Sequence, residues 1–322
     1  MIERKPSTYN SAFMMWILSS FVKHNLKNTL LRMLMLLCLL QFPHTRLMAQ
    51  EKDIAEMIRQ LNDSSKNIRN SAYLQISEDQ LIRLFDKQPS FGMYRDNYVV
   101  SGIPTNTKIN NHTSDAKFQF SIRQRLTKSV LPLKTFLMLI YTQKSFWNVY
   151  ENSAPFADNN YNPGLLLVKP IIQNNELKGI GTFSIEHESN GRDSIYSRSW
   201  NYIVLSGVYF FNAKISLQTK FWYGLLASEN SDLYSYKGYG FIAINYRTEN
   251  DKFWLSAIIN PNATFSNINT QVELNFKPNY NANQYFFLQW YNGYAESLLD
   301  YKEYSSMIRI GICIKPPMRN FY

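Results

Sequence analysis

The amino-acid sequence predicts an all-β fold, a twelve-stranded antiparallel transmembrane β-barrel, on three observations. Polar and apolar residues alternate along the chain. Lys117, Gln119, Ser121 and Arg123 interleave with Phe118, Phe120 and Ile122; Lys214, Ser216, Gln218 and Lys220 do so with Ile215, Leu217, Thr219 and Phe221. A period of two places each set on its own face of a strand. Aromatic side chains form 15% of the 322 residues, with 22 Tyr and 21 Phe, far more than a soluble core requires. Two interfacial girdles account for such a number. Finally, the chain opens with a leader of the kind that directs export.

Composition narrows the classes of function. Charged residues are only 18%, yet the mean hydropathy is −0.31, so Asn, Gln, Ser and Thr supply much of the polarity. The net charge is +10, and six basic residues against Glu3 place +5 of it within residues 1–50. The remaining cations are spread singly along alternating stretches rather than gathered on one face, which argues against nucleic acid as a partner. Of the two cysteines, Cys38 lies in the leader and Cys313 is alone in the processed chain. No disulfide framework or cysteine-based zinc site is therefore expected. Bulky Leu36 and Leu37 before Cys38 speak against lipidation there.

In chain order, residues 1–49 read as a signal peptide. Basic residues lead into the apolar run Met33–Leu40, then Pro43, then Leu47-Met48-Ala49-Gln50, with cleavage expected after Ala49. An earlier apolar run, Ala12–Val22, leaves the true start open between Met1 and the region of Met33. Both runs are shorter than the ~20 residues a spanning helix needs. Residues 50–90 read as a partly helical N-terminal periplasmic segment. Ile54, Met57, Ile58 and Leu61 follow helical spacing, and Asp79–Phe85 suggests a second short helix.

Residues 91–322 read as the barrel, with strands near 95–103, 116–125, 134–147, 163–170, 179–190, 199–211, 213–223, 239–247, 252–260, 269–277, 284–293 and 305–314. An even number of strands of about ten residues, broken by Asn, Asp, Gly and Pro turns, is the pattern of a bacterial outer-membrane barrel. The tail from Lys315 to Tyr322 ends in aromatics, but Pro316-Pro317 cannot continue a paired strand.

One stretch carries chemistry: Phe183 to Asn201, F-S-I-E-H-E-S-N-G-R-D-S-I-Y-S-R-S-W-N. Phe183, Ile185, His187 and Ser189 share one strand face, while Ser184, Glu186 and Glu188 share the other. In a barrel the apolar face looks at lipid, so an imidazole and a hydroxyl lie where polar groups are expensive without a task. A His-x-Ser pair alone is weak, and Asn190-Gly191 fits a plain hairpin turn. Three features add weight. After the leader only His112 and His187 remain. His187 lies on the outer face. Asn201 falls one strand on, sharing a face with Ile203 and Leu205 that can be the same outer face. A serine becomes nucleophilic when an imidazole takes its proton, and the imidazole needs a third group to hold its tautomer.

The run H-E-S-N-G-R-x4-S-R-S-W-N resembles the signature of the outer-membrane phospholipase A family. Tyr141–Trp147 (Y-T-Q-K-S-F-W), Ser153-Ala154-Pro155-Phe156, Asn160-Tyr161-Asn162-Pro163 and Tyr294–Tyr301 (Y-A-E-S-L-L-D-Y) resemble it too. The likeness spans about Asp96 to Ile314. It implies a twelve-stranded barrel that hydrolyses phospholipid acyl esters, with Ser189 as nucleophile, His187 as general base and Asn201 orienting the base. It implies Ca²⁺, held by the Ser197 hydroxyl, the Arg192 carbonyl and the carbonyl of Ser153 from a second subunit. These are hard oxygen donors of the kind Ca²⁺ takes. Asp193 is a solvated loop charge with a possible tuning role at the metal. The resemblance also implies an active homodimer with Gln143 at the contact. That glutamine shares a strand face with Leu137, Leu139 and Tyr141, where an amide in lipid wants a partner. Two departures stand out: Ala154 replaces a frequent serine, and Tyr202 replaces a frequent arginine that would bear on headgroup contacts. A catalytically inert channel or structural barrel is the rival reading, favoured by the Lys- and Gln-rich inner face. No G-x-S-x-G elbow occurs, which argues against an α/β-hydrolase.

Overall fold

A computed structural model describes residues 77–128, 131–248, 252–279 and 283–316. The expected signal peptide, the helical spacing at 54–61 and residues 317–322 lie outside the described residues. The elements are α1 (Glu78–Lys87), β1 (Phe91–Met93), β2 (Asn97–Pro104), β3 (Asp115–Arg125), β4 (Phe136–Trp147), β5 (Phe156–Gln173), β6 (Glu176–Ser189), β7 (Ser199–Phe210), β8 (Ile215–Leu226), α2 (Tyr234–Lys237), β9 (Gly240–Arg247), β10 (Phe253–Pro261), β11 (Ile268–Phe276), β12 (Gln284–Gly293) and β13 (Ser305–Ile314).

Each strand from β2 to β13 pairs antiparallel with its sequence neighbours, and β13 pairs back onto β2, with Ile310 opposite Ser101. The result is a closed twelve-stranded antiparallel barrel. The three-residue β1 pairs with β3 through Phe91 and Gln124, further along β3 from where β2 pairs, so it prolongs the line of β2. Closure matters because hydrocarbon offers no water to an unpaired strand edge. No helix among the described residues is long and apolar enough to cross a membrane.

Alternation sorts the side chains as expected. Ile308, Ile310 and Ile312 point outward from β13, while Arg309 and Cys313 are buried inward. Exposed Tyr209, Phe211, Tyr246, Phe253 and Phe286 ring one end of the barrel; Phe156, Tyr223, Tyr239 and Tyr304 ring the other. Two such girdles mark the two interfaces. Connections are also asymmetric: 174–175 and 211–214 are short, whereas 148–155, 190–198, 227–239 and 294–304 at the opposite end are long. Short turns face the periplasm and long loops face outward in bacterial barrels.

The lumen is filled from both ends. At the short-turn end, α1 places Leu81, Ile82 and Phe85 against Phe136, Met138 and Ile140 of β4, Leu166 and Val168 of β5, and Ile180 of β6. The helix begins with a capping box in which Ser77 and Gln80 satisfy each other's backbone N–H. At its C-terminus Arg125 donates to the carbonyls of Phe85, Asp86 and Gln88, covering acceptors the helix leaves open. The Asp79–Phe85 helix is thus present and slightly longer than its apolar spacing suggests, and this part of the 50–90 segment packs into the barrel.

At the outer end, the 294–304 loop turns inward. Glu296 accepts from Lys117 Nζ at 2.9 Å and Arg309 Nη1 at 2.6 Å, and Arg309 also grips Asp115 with two bonds of 2.7 Å. Burial pushes the Glu296 carboxyl up, but Lys117 and Arg309 outweigh it and hold the group well below the usual range. Leu298 and Tyr301 pack with Trp200, Tyr202, Trp222 and Leu233.

One strand is much longer than its pattern suggests: β5 begins at Phe156 rather than near residue 163. The Asn-rich run before Pro163 lies outside the expected strand, but Asn160 and Asn162 are lumen-facing strand residues whose amides bond inward, to the Leu298 N–H, the His187 carbonyl and Tyr202. Pro163 still has its effect, since continuous pairing with β6 resumes only at Gly164.

Replacing Phe85 by Ala empties the centre of the α1 contact and is expected to lower the unfolding free energy by about 3 kcal/mol. Guanidinium titration of the refolded protein in micelles reads this directly. A change under about 0.5 kcal/mol, the scale of a surface substitution, would mean that α1 does not plug the lumen.

Candidate active site

β6 and β7 build the site. Along β6, Phe183 and Ile185 are exposed on the lipid side, and Thr182, Ser184 and Glu186 are buried on the lumen side. His187 and Ser189 continue the outer row as half-buried side chains. Along β7, Asn201 is exposed in line with Ile203 and Leu205. The register sets His187 directly opposite Asn201 and Ser189 opposite Ser199. Across that pair His187 Nδ1 and Asn201 Oδ1 are 2.9 Å apart. With an amide oxygen as acceptor, the imidazole proton sits on Nδ1, and Nε2 keeps a lone pair. Ser189 Oγ has no hydrogen-bond partner among the described residues, so the serine-to-imidazole contact is open. Such contacts are often loose until substrate arrives.

The other predicted residues lie as follows. Arg192, Asp193 and Ser197 sit in the 190–198 loop at the outer end of the same hairpin, and the Asp193 side chain is exposed. Ser153 lies on the separate β4–β5 turn with φ +66°, followed by Ala154 with φ +41°. The Ala154 carbonyl accepts from Trp147 Nε1 at 2.8 Å. Gln143 is on the outer face of β4, where it accepts from Tyr141 OH and donates to Ser145 Oγ, both at 3.1 Å. Its amide therefore already has two partners within the chain. Tyr161 stands opposite Gln143 on one side and opposite Ser189 on the other. That puts Gln143 two strand spacings, about 10 Å, from the serine. His112 is remote from this row, in the β2–β3 loop, with Nδ1 3.2 Å from Glu151.

Two residues missed as functional shape the loop. Asn190 is buried and ties both limbs together. Its Nδ2 donates to the Tyr196 carbonyl at 2.8 Å, and its Oδ1 accepts from Arg192 N at 3.3 Å and Arg198 N at 3.0 Å. The Asn-Gly pair is thus a loop organiser rather than a tight hairpin turn. Gly191 adopts φ +67°, and a Cβ there would meet Tyr161 Cε2 at 2.9 Å. Tyr161 is the second missed residue; it lies before residue 163, where the sequence reading started this strand. Tyr202 faces the lumen, buried, bonded to Glu186 Oε2 at 3.0 Å and stacked on Trp200, so it supplies no headgroup contact of its own. Glu188 points inward as expected and accepts from Trp200 Nε1 at 2.9 Å.

For a metal, the Arg192 carbonyl and the Ser197 hydroxyl accept or donate no hydrogen bond among the described residues, so both oxygens are free to coordinate. No cluster of three His, Cys, Asp or Glu side chains suited to a metal occurs among those residues. A carbonyl-and-hydroxyl donor set suits a hard cation that keeps some of its water, as Ca²⁺ does.

With this geometry in place, comparison with known proteins is direct. The family model described as phospholipase A1 matches residues 87–314. The chain belongs to the phospholipase A1 family. Phospholipase A1 of Proteus vulgaris is 29% identical over 211 residues, covering 64% of this chain and 71% of that protein. The Escherichia coli K12 enzyme is 28% identical over 212 residues with the same coverage. A longer relative from Neisseria meningitidis serogroup B is 27% identical, and this chain spans 54% of its length. Among solved structures, E. coli outer membrane phospholipase A, as an active-site Asn-to-Ala mutant, superposes with a TM-score of 0.62 at 25% identity, covering 71% of this chain and 93% of that one. The Salmonella typhi outer membrane phospholipase, a dimer with bound calcium, gives 0.63 at 25% identity with the same coverage. Family and fold together place this phospholipase A1 homologue in the outer membrane of a Gram-negative bacterium.

Asn190→Ala is expected to release the loop, because it leaves buried backbone groups unpaired at about 1–3 kcal/mol. Trypsin should then cut after Arg192 or Arg198 about tenfold faster in refolded protein. Unchanged cleavage would show that the loop is held by other contacts.

Proposed function

We propose that this chain is a calcium-dependent phospholipase of the outer membrane that hydrolyses acyl esters of phospholipids, with A1, A2 and lysophospholipase activity. One observation carries the reading: the His187–Asn201 pair stands on the lipid-facing surface, with Ser189 two residues along the same row. An imidazole with Nδ1 held by an amide and Nε2 free, beside an unpartnered hydroxyl, is the arrangement a serine hydrolase uses. Here it faces the place where a phospholipid ester lies.

In this reading Ser189 Oγ attacks the ester carbonyl while His187 Nε2 takes its proton. Asn201 keeps the ring in the productive tautomer but, being neutral, adds no charge to the imidazolium. The Gly191 N–H, which has no hydrogen-bond partner among the described residues, would serve as a donor to the carbonyl oxygen as it becomes negative. His187 then gives its proton to the departing lysophospholipid oxygen, leaving the acyl group on Ser189. Water, deprotonated by His187, attacks that ester and frees the fatty acid. Ca²⁺ would be held by the Arg192 carbonyl and the Ser197 hydroxyl, with Ser153 of the partner subunit completing the set, and when bound it stabilises negative charge on the substrate oxygen. Because Ser153 would come from a second copy, activity would follow dimerisation. Gln143, about 10 Å from the serine across Tyr161, lies where such a contact would form. The calcium-bound S. typhi dimer and the E. coli active-site asparagine mutant support both parts. The inert-channel reading is disfavoured by a lumen occupied at both ends.

Refolded protein should release fatty acid from detergent-dispersed phospholipid with calcium and not after EDTA treatment. Ser189→Ala should lower turnover by at least ~10³-fold, and crosslinked dimer should rise with calcium plus a substrate analogue. Calcium-independent release, full activity in Ser189→Ala, or a strictly monomeric active enzyme would each reject a part of the reading.

A further inference from the structure

The lysine-rich inner face has no part in the hydrolytic row, yet it surrounds open space. Beneath the 294–304 loop the lumen holds a cavity of about 250 Å³. A second, of about 210 Å³, lies against it, with Arg95, Gln119, Lys220 and Gln271 lining both. Five cationic side chains line the larger cavity, Arg95, Lys117, Lys144, Lys220 and Lys237, against two carboxylates, Glu188 and Glu296. Lys117 is closed on Glu296 at 2.9 Å, and Arg309 with Asp115 completes a balanced group of four. The other four cations share Glu188 and, just behind the lining, Glu186, which leaves two positive charges in excess. Glu273 in the smaller cavity, where Gln271 and Gln289 donate to it at 2.6 and 3.0 Å, offsets one of them; Lys315 there is taken by Asp96. Lys220 stands out. It is 8% exposed, its Nζ donates no hydrogen bond among the described residues, and Glu186 Oε1 lies 3.8 Å away, past hydrogen-bond length. The Glu186 oxygens are engaged elsewhere, by Ser184 at 2.6 Å and Tyr202 at 3.0 Å. Lys237 of α2 is similar, 4.0 Å from Glu188. Lys144 donates once, to the Glu296 carbonyl at 2.8 Å. Buried ammonium groups with unspent donors are costly without a counter-charge.

We infer that this chamber binds one small oxyanion of the phosphate or sulfate type, held by Lys220 and Arg95 with Lys144 and Lys237 around it. A tetrahedral oxyanion offers acceptors in several directions, which suits converging ammonium groups and the fork of a guanidinium. The larger cavity has room for several waters at roughly 30 Å³ each, so the ion keeps part of its hydration and reaches the farther cations through it. Glu186 and Glu188 are alternate residues of β6, about 7 Å apart, and the cations gathered on them border one stretch of the chamber. A lipid headgroup phosphate shares this chemistry, but the cations line the lumen while acyl chains lie outside the wall, so a free ion is the ligand. Neither His187 nor Ser189 takes part. The bound ion offsets the excess charge and supplies the acceptors that Lys220 and Lys237 lack.

Equilibrium dialysis of the refolded full-length chain against radiolabelled inorganic phosphate, in phosphate-free detergent with EDTA, tests this. Sulfate and glycerophosphocholine, a headgroup diester without acyl chains, serve as competitors. The variants are Lys220→Met, which keeps the apolar stem, Lys237→Met, and Lys302→Met as a control at an exposed loop lysine paired with Asp232. Heat-dependent gel migration checks the folding of each. Should Lys220→Met fail to fold, Lys237→Met, whose side chain is 20% exposed, carries the comparison. The expected result is one phosphate per chain, displaced by sulfate and not by glycerophosphocholine. It should bind wild type and Lys302→Met alike, and the two lumen variants about tenfold or more weakly. No phosphate bound to wild type, equal affinity in the lumen variants, equal loss in Lys302→Met, or displacement by glycerophosphocholine as readily as by sulfate would overturn it.

Discussion

Closure of the sheet is the constraint on which the rest depends. In hydrocarbon every strand N–H and C=O must find a strand partner, and pairing of β13 with β2 leaves no edge. Once the sheet closes, the two faces of every strand acquire fixed meanings: one is lumen and one is lipid. Side-chain position then follows from odd or even place in the strand. His187 and Ser189 fall in the odd row with Phe183 and Ile185, so they face lipid as surely as those apolar residues do. The same register sets Asn201 opposite His187. A polar pair is costly in that row without a task, and the proposed function supplies one.

The interior serves a different end. The lumen is occupied at both ends, apolar around α1 and ionic around Glu296, and it also holds cavities of about 250 and 210 Å³ lined by inward polar residues. Breaking a buried ionic group strands its partners at several kcal/mol, which braces the wall behind the His187 row. Glu186, on the residue before His187, accepts from Ser184 and Tyr202 and lies 3.8 Å from both Arg95 and Lys220. Glu188, on the residue after it, holds Trp200. Inward anchors thus bracket the outward imidazole, and its orientation is inherited from contacts on the opposite face of the strand.

Much of this was legible from alternation. The face assignment of 183–189, the inward turn of Glu188 and the placing of Asn201 on the outer row all follow from a period of two. What escaped was whatever depends on partners remote in sequence. Phe136, Met138 and Ile140 lie on the lumen face of a strand whose outer face is also apolar, so periodicity is mute there, and only the arrival of α1 explains them. Asn160 and Asn162 carry turn-like chemistry, but their amides bond the 294–304 loop and β7 across the lumen. Asn190 looked like part of a two-residue turn because its three loop bonds involve residues up to eight positions away.

The central claim is that a nucleophilic hydroxyl works from the lipid side of the wall. It is tested most directly by labelling protein in phospholipid vesicles with fluorophosphonates, one carrying a long alkyl chain that partitions into the bilayer and one short and water-soluble, followed by mass spectrometry. The account predicts an adduct at Ser189 with the long-chain reagent, little with the short one, and none in His187→Ala. Equal labelling by the water-soluble reagent, or an adduct that persists without the imidazole, would contradict it.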